Sequence, residues 1–279
     1  MSFDLQAVTV RHRVGGDAPA LHGIDLHLDA GEQVALIGPS GAGKTTLLHT
    51  LALAQRPASG SFAAFGRAAW SLSERERHRL RAQLFLAPQT PPLPPHQRVV
   101  AAVLAGRLPR WTLRRALASL FRPAEPEVAY QALARFSLED KLYARVDRLS
   151  GGERQRCSLA RLLVSDARAL LVDEPLSALD PTLAVQTLQV LQQEAAARGA
   201  LLVCSLHQVE LALAHFPRVV GLRGGTVLFD AAASDVSDAM IAALYQNDGS
   251  PGNGDTADEA RDAGAGNPSL PTAPVTRCF

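Results

Sequence analysis

GPSGAGKTT, at residues 38–46, follows an apolar run at residues 34–37 and precedes Leu47, Leu48 and Leu51 at helical spacing. A strand therefore enters this stretch and a helix leaves it. Gly38, Gly41 and Gly43 permit turns and a close backbone approach that side chains would block, with Pro39, Ser40 and Ala42 between them. Successive N–H groups of such a loop point inward as an anion nest, beside a helix start carrying about +0.5 of an elementary charge. The loop is built to hold a polyphosphate. Lys44 is placed to reach β- and γ-phosphates, the Thr45 hydroxyl to ligate Mg²⁺, and Thr46 to meet the α-phosphate side. The bland alternative is a glycine-rich turn with a solvated lysine, and the later motifs weigh against it.

The second deciding stretch is LSGGERQR, residues 149–156. By ordinary residue frequencies a G-x-x-x-x-G-K-[ST] match arises in a chain of this length roughly one time in a hundred. An L-S-G-G-[EQ] match is nearer to about one in a thousand. Ser150 with Glu153 three residues on forms a capping box for a helix over residues 154–164. Capping alone does not call for Gly151 and Gly152, each of which lowers helix stability by about 1 kcal/mol. Two glycines make sense where a helix tip must lie against a phosphate, and the two readings can coexist.

LLVDEP at residues 170–175 ends an apolar run in Asp173 and Glu174, at the carboxyl edge where open α/β sheets place ligands. Asp173 is positioned to hold a metal through water, and Glu174 to act as general base on an attacking water. The competing reading is a surface Asp-Glu pair before a turn at Pro175. Gln89, in LAPQT, offers an amide oxygen for Mg²⁺, and His207, in SLHQ, offers a hydrogen bond to a γ-phosphate. Either residue alone is weak evidence; their order along the chain strengthens both.

The bulk numbers fit this picture. The 279 residues are 47% hydrophobic and 20% charged, enough for one large core or two smaller ones. A formal charge of +1 gives no global field for nucleic acid or other anionic partners. Three irregularly spaced cysteines exclude a disulfide framework and suit a reducing cytosol. No stretch approaches the ~20 apolar residues of a membrane helix, and the first residues lack a secretory apolar block. The expectation is a cytoplasmic protein that works at a membrane through a partner.

Apolar runs at residues 34–37, 169–172 and 200–204 lack polar alternation, as parallel strands covered on both faces do. Each is followed by a helix-like stretch, giving the rhythm of an α/β sheet. The opening V-T-V-R-H alternation and residues 24–28 read as antiparallel strands. Residues 93–146 are helix-rich and read as an inserted subdomain, taken with its flanks as about 90–165. Within it RLPRWTLRRALASLFR is either a solvated basic face or an anionic docking surface, its leucines, Trp111 and Phe121 packing inward. Residues 1–246 form one domain; residues 247–279, rich in Gly, Asp, Ala, Pro and Asn, read as a disordered tail.

With these motifs in this order the chain resembles the ATP-binding subunits of ABC transporters, from near its start to about Gln246. Residues 38–46 match that family's P-loop, Gln89 its Q-loop and residues 149–153 its signature. Residues 170–174 match its Walker B, residues 177–180 its D-loop and His207 its switch histidine. The resemblance implies an α/β fold with a P-loop NTPase core of ABC type: a parallel sheet, an N-terminal antiparallel β subdomain and an inserted helical subdomain. It implies ATP and Mg²⁺ as ligands, and catalytic roles for Glu174, His207 and Lys44. It also implies two such subunits closing head to tail, with Ser150, Gly151, Gly152 and Glu153 of each covering the other's ATP. The partner copy is a second identical chain or a similar one. Two departures stand out: Glu153 replaces the family's usual Gln, and the adenine-stacking aromatic is absent, leaving His12, with Arg13 beside it, as the candidate.

VLAGRLPRW, SLF, LHQVELA and VVGLRGGTVLFD resemble the phosphonate-import members of this family. That likeness implies membrane permease subunits that carry the solute, a solute-binding protein acting indirectly, and a location on the inner face of the cell membrane. The permease is expected to dock on the helical region after Gln89, which residues 91–95, with four prolines, would stiffen. Importers for phosphate, polar amino acids or metals share much of the pattern. A soluble ABC ATPase acting on nucleic acid or ribosomes is a further class, against which stand the single cassette and the lack of a heptad run or a C-x-x-C. A non-hydrolysing sensor would lose the Glu after Asp173.

Overall fold

The computed structural model describes residues 2–11 and 19–246. The expectations for His12 and Arg13 and for the tail at residues 247–279 lie outside the described residues. A six-stranded sheet runs β10(Thr226–Ala232), β9(Arg218–Arg223), β3(Gln33–Ile37), β8(Leu201–Ser205), β7(Ala169–Asp173), β6(Leu84–Ala87). Only β10 is antiparallel; the pairs β9–β3, β3–β8, β8–β7 and β7–β6 are all parallel. A second, antiparallel sheet has the order β2(Leu21–Asp29), β1(Ser2–Val10), β4(Ser59–Ala64), β5(Arg67–Ala68).

The unbroken apolar runs follow from burial on both faces of the parallel strands. Ala35, Ile37, Leu170, Val172, Leu202 and Cys204 point into one core, with the helices α6(Gly151–Leu163) and α7(Pro181–Arg198). Their neighbours Val34, Leu36, Ala169, Leu171, Leu201 and Val203 point into a second core with α1(Lys44–Leu51) and the antiparallel sheet. Period-two side-chain alternation thus serves two apolar layers, so polar residues stand only at the ends of these strands, as Gln33, Asp173 and Ser205 do. The helix α7 starts on Asp180, whose side chain accepts from Leu183 N–H, and stops at Gly199 with φ of 60°.

Between the adjacent strands β6 and β7 the chain leaves the sheet and builds the helical insertion. It contains α3(Val99–Leu104), α4(Leu113–Phe121), α5(Pro126–Ala134) and α6. Its neck is tied by backbone bonds from Val99 N to Ala144 O (3.0 Å), Val100 N to Leu142 O (2.9 Å) and Val146 N to Gln97 O (2.9 Å). The remaining helices are α2(Glu74–Arg81), α8(Val209–His215) and α9(Asp238–Tyr245).

One expectation about the insertion is corrected. Trp111 packs against the core, but Leu108, Leu113 and Leu117 do not turn inward: they are 45%, 74% and 53% exposed. The Phe121 side chain lies outside the described residues. The arginines of this run set the local packing instead. Arg107 and Arg115 share Glu125 at 2.6 and 3.0 Å, Arg110 pairs with Asp166, and Arg115 lies over the Trp111 ring. These pairs hold the run through its charged side, leaving Leu113 and Leu117 of α4 exposed to solvent.

Two thiols are locked in the interior. Cys157, on α6, is buried and its thiol is pushed up to about 12 by desolvation, while Cys204 on β8 is pushed higher still by complete burial. Both should resist iodoacetamide at pH 8 in the folded protein and react once guanidinium unfolds it. Peptide mapping that finds Cys157 or Cys204 labelled in the native state would contradict this packing.

Candidate functional site

The phosphate loop joins β3 to α1, and two of its glycines are dictated by the fold around them. A Cβ on Gly38, whose φ is +145°, would stand 2.0 Å from the carbonyl oxygen of Leu222 on the neighbouring strand. A Cβ on Gly43, the residue capping α1 with φ of +102°, would meet Leu21 Cδ2 at 2.7 Å and Ala20 O at 2.9 Å. Gly41, at φ of +78°, has open space on its Cβ side. The first and last glycines let the loop fit against the sheet; the middle one leaves its mouth clear.

Lys44 is only 5% exposed and donates to the carbonyls of Gly38 (2.7 Å) and Pro39 (3.1 Å). Burial pulls its ammonium below the usual lysine range, opposed by the negative charges of Glu174 and Asp173. A cation held with little water beside a cradle of N–H groups will interact strongly with an incoming anion.

The loop is joined to the end of β7 by Thr45, whose Oγ1 donates to Asp173 Oδ2 at 2.8 Å. The other oxygen, Asp173 Oδ1, accepts from Ser205 Oγ at 2.5 Å, and that hydroxyl accepts the backbone N–H of Glu174 at 2.9 Å. Glu174 sits at φ of +48°, a conformation uncommon for a residue with a side chain and typical of strained functional positions. Its carboxylate is gripped on both sides. Gln89 Nε2 donates to Oε2 at 2.6 Å, and His207 Nε2 lies 2.5 Å from Oε1. Lys44, Thr45, Asp173, Glu174, Gln89 and His207, scattered over more than 160 residues of sequence, thus meet at the carboxyl ends of β3, β6, β7 and β8.

The glycine-serine stretch at residues 149–153 opens α6, which closes the helical insertion before β7. Among the described residues no hydrogen bond joins it to residues 38–46. Both halves of the capping box form: Glu153 N–H donates to Ser150 Oγ at 3.1 Å and Ser150 N–H to Glu153 Oε2 at 2.7 Å. Gly151 faces open space. Gly152 has a reason within the chain: a Cβ there would stand 2.7 Å from Ala178 O, on the loop that follows Glu174.

Three site residues have roles that the motifs do not announce. Ser205 ends an apolar strand run and opens the SLHQ stretch, and Ser177 opens the stretch that matches the D-loop. Gln155, buried on α6, donates to the Glu174 carbonyl at 3.4 Å, and Ser177 Oγ donates to the same carbonyl at 3.3 Å. A buried polar residue inside or beside a functional motif was the available signal.

Comparison with known proteins is consistent in every direction. Residues 21–177 match the family model described as ABC transporter. A phosphonates import ATP-binding protein of Albidiferax ferrireducens is 56% identical over 247 residues, covering 88% of this chain and 89% of that protein. One from Pseudomonas fluorescens is 51% identical over 248 residues, covering 89% and 93%. Among solved structures, a dimeric ATP-binding cassette in a post-hydrolysis state with ADP and phosphate superposes with a TM-score of 0.70 at 25% identity, over 83% of this chain and 98% of that one. A nucleotide-free cassette at 19% identity gives a TM-score of 0.69 and supports the fold.

Proposed function

This chain belongs to the ABC transporter family, and on that premise we propose that it is the ATP-binding, ATP-hydrolysing subunit of an importer for a phosphonate or a related oxyanion. The observation that carries the reading is the convergence of Thr45–Asp173 and Gln89–Glu174–His207 on the mouth of the phosphate loop. Sequence relatives named as phosphonate import proteins, at up to 56% identity over most of both chains, support the choice of solute.

In this reading the loop amides of residues 38–46 and Lys44 bind the triphosphate, while Glu174 takes a proton from the attacking water. His207 holds the Glu174 carboxylate in place and offers the γ-phosphate a hydrogen bond. Charge that develops on the transferred phosphoryl group meets Lys44 and the loop N–H groups. The donor set of Thr45 Oγ1, Asp173 and the Gln89 amide oxygen is all oxygen and suits Mg²⁺. Among the described residues no group of three His, Cys, Asp or Glu is placed to cage a metal. Such a sparse set fits an ion that keeps waters and shares its other positions with substrate phosphates. Mg²⁺ held by these residues would supply neutralisation of the phosphate charge that builds up during transfer.

Two copies, or this chain and a similar one, close head to tail, so that Ser150 and Gly151 of each cover the nucleotide of the other. Nucleic acid is not a partner in this reading. No helix among the described residues is long and apolar enough to cross a membrane. Membrane permease subunits therefore hold the protein on the cytoplasmic face, and a solute-binding protein acts through them. A groove of about 690 Å³ between β6 and the insertion, lined by Phe85, Leu86, Pro92 and Leu108 and by the charged Arg81 and Asp166, lies in the region after Gln89 where this reading docks the permease.

The test is reconstitution of this chain with its permease and binding protein in liposomes. ATPase activity should rise when a phosphonate is added with the binding protein. Stimulation by phosphate or another solute with none by phosphonates would refute the solute. Failure to associate with any permease would refute the transport role.

A further inference from the structure

We infer that Ser205 is a positioning residue for hydrolysis: one buried hydroxyl sets the Asp173 carboxylate and the Glu174 backbone in fixed relation to each other. The inference rests on the ATPase reading above and concerns how that site is held. Ser205 pairs in register with Asp173 on β7 and with Leu36 on β3, and is 0% exposed. The other residues of β8, Leu201, Leu202, Val203 and Cys204, are apolar and buried. A hydroxyl in such a run is unfavourable unless its hydrogen-bonding capacity is used.

Its donor and one of its two lone pairs are used. A serine hydroxyl has one donor, which goes to Asp173 Oδ1 at 2.5 Å. Its oxygen accepts the Glu174 N–H at 2.9 Å. Asp173 is thus held at both oxygens, by Ser205 and by Thr45 at 2.8 Å, so the carboxylate cannot rotate about its own axis without breaking one of them. Glu174 is held at its N–H by Ser205 and at its carbonyl by Gln155 and Ser177, which fixes a backbone whose φ is +48°. A packing role without the hydroxyl would be met by alanine at this position. The two bonds tie the residue facing the metal and the residue facing the water to a single oxygen atom.

The informative pair of variants is Ser205→Thr and Ser205→Val, which share a shape and differ in the hydroxyl. Ser205→Val, and Ser205→Ala beside it, should lower kcat by about 10- to 100-fold, as loss of a partner behind a metal-facing ligand does. Both should raise the Mg²⁺ concentration for half-maximal turnover, with little change in the KM for ATP. Affinity for a fluorescent ATP analogue in EDTA should not change. Ser205→Thr should stay near the unaltered protein in every reading. Hydrogen exchange of the Glu174 amide in nucleotide-free protein gives a readout that needs no turnover: slow in the unaltered chain and Ser205→Thr, fast in Ser205→Val. Equal behaviour of the Val and Thr variants, or an unprotected Glu174 amide in the unaltered chain, would overturn the inference. An unaltered chain that neither binds nor hydrolyses ATP would instead overturn the ATPase reading itself.

Discussion

Glu174→Gln is expected to leave ATP affinity unchanged and to reduce kcat by about 10²- to 10⁴-fold, the range over which a general base contributes. That range corresponds to about 3–5 kcal/mol of lost transition-state stabilisation. Glutamine keeps the volume and the planar head of glutamate, so the grip of Gln89 at 2.6 Å and His207 at 2.5 Å retains a partner of similar shape. The phosphate cradle itself consists of loop N–H groups and Lys44, to which the Glu174 side chain does not belong. Binding and turnover should therefore separate cleanly in single-turnover kinetics alongside equilibrium titration. Full turnover in this variant would remove Glu174 from the role of base.

Lys44→Ala should act on the other half of the cycle. Its ammonium is nearly buried, with its donors turned to the loop carbonyls of Gly38 and Pro39. Truncating one partner of a buried, hydrogen-bonded charge contact weakens binding by about 2–5 kcal/mol, or roughly 30- to 4,000-fold in Kd. Lys44→Met, which retains the aliphatic stem, separates lost charge from lost packing and should bind as poorly as the alanine variant. Calorimetric titration with ATP checks both, and thermal unfolding without nucleotide checks that the loop still folds. Unaltered affinity in Lys44→Met would contradict the assignment of the loop to the phosphates.

The most legible parts of this chain were those where one physical constraint dominates. Strands β3, β7 and β8 announce themselves because burial on both faces keeps residues 34–37, 169–172 and 201–204 apolar, with Gln33, Asp173 and Ser205 only at the strand ends. The phosphate loop is legible because Gly38 and Gly43 tolerate no Cβ where they stand. Strand β6 was missed: its four residues, Leu84–Ala87, lie at the sheet edge, mostly half-buried, and are too short to show a pattern. The β9–β10 hairpin had a usable signal that went unread. Gly224 and Gly225, both at positive φ, form a turn between an apolar run and an alternating one.

At the site, residues with a role in one place and a motif around them were visible, while those acting through a neighbour were not. Asp173 and Glu174 stand out at the end of an apolar run. Ser205 matters only because the register of β8 beside β7 puts it opposite Asp173, and that register is a tertiary fact. The inward packing expected of Leu113 and Leu117 failed for a similar reason. Apolar content favours burial, but Glu125 and Asp166 capture the arginines and fix which side of the run faces the protein.

The central claim is that the loop at residues 38–46 of one copy and the helix tip at residues 149–153 of another enclose the same nucleotide. Among the described residues no hydrogen bond joins these two stretches within one chain, and Gly151 faces open space; both observations motivate it. The direct measurement is the solution mass of the Glu174→Gln variant by light scattering, with and without Mg·ATP. The account predicts a single 29.6 kDa chain without nucleotide and twice that mass with it, the shift abolished when Gly151 is changed to a bulky residue. A variant that binds ATP at full stoichiometry yet keeps the mass of one chain would contradict it.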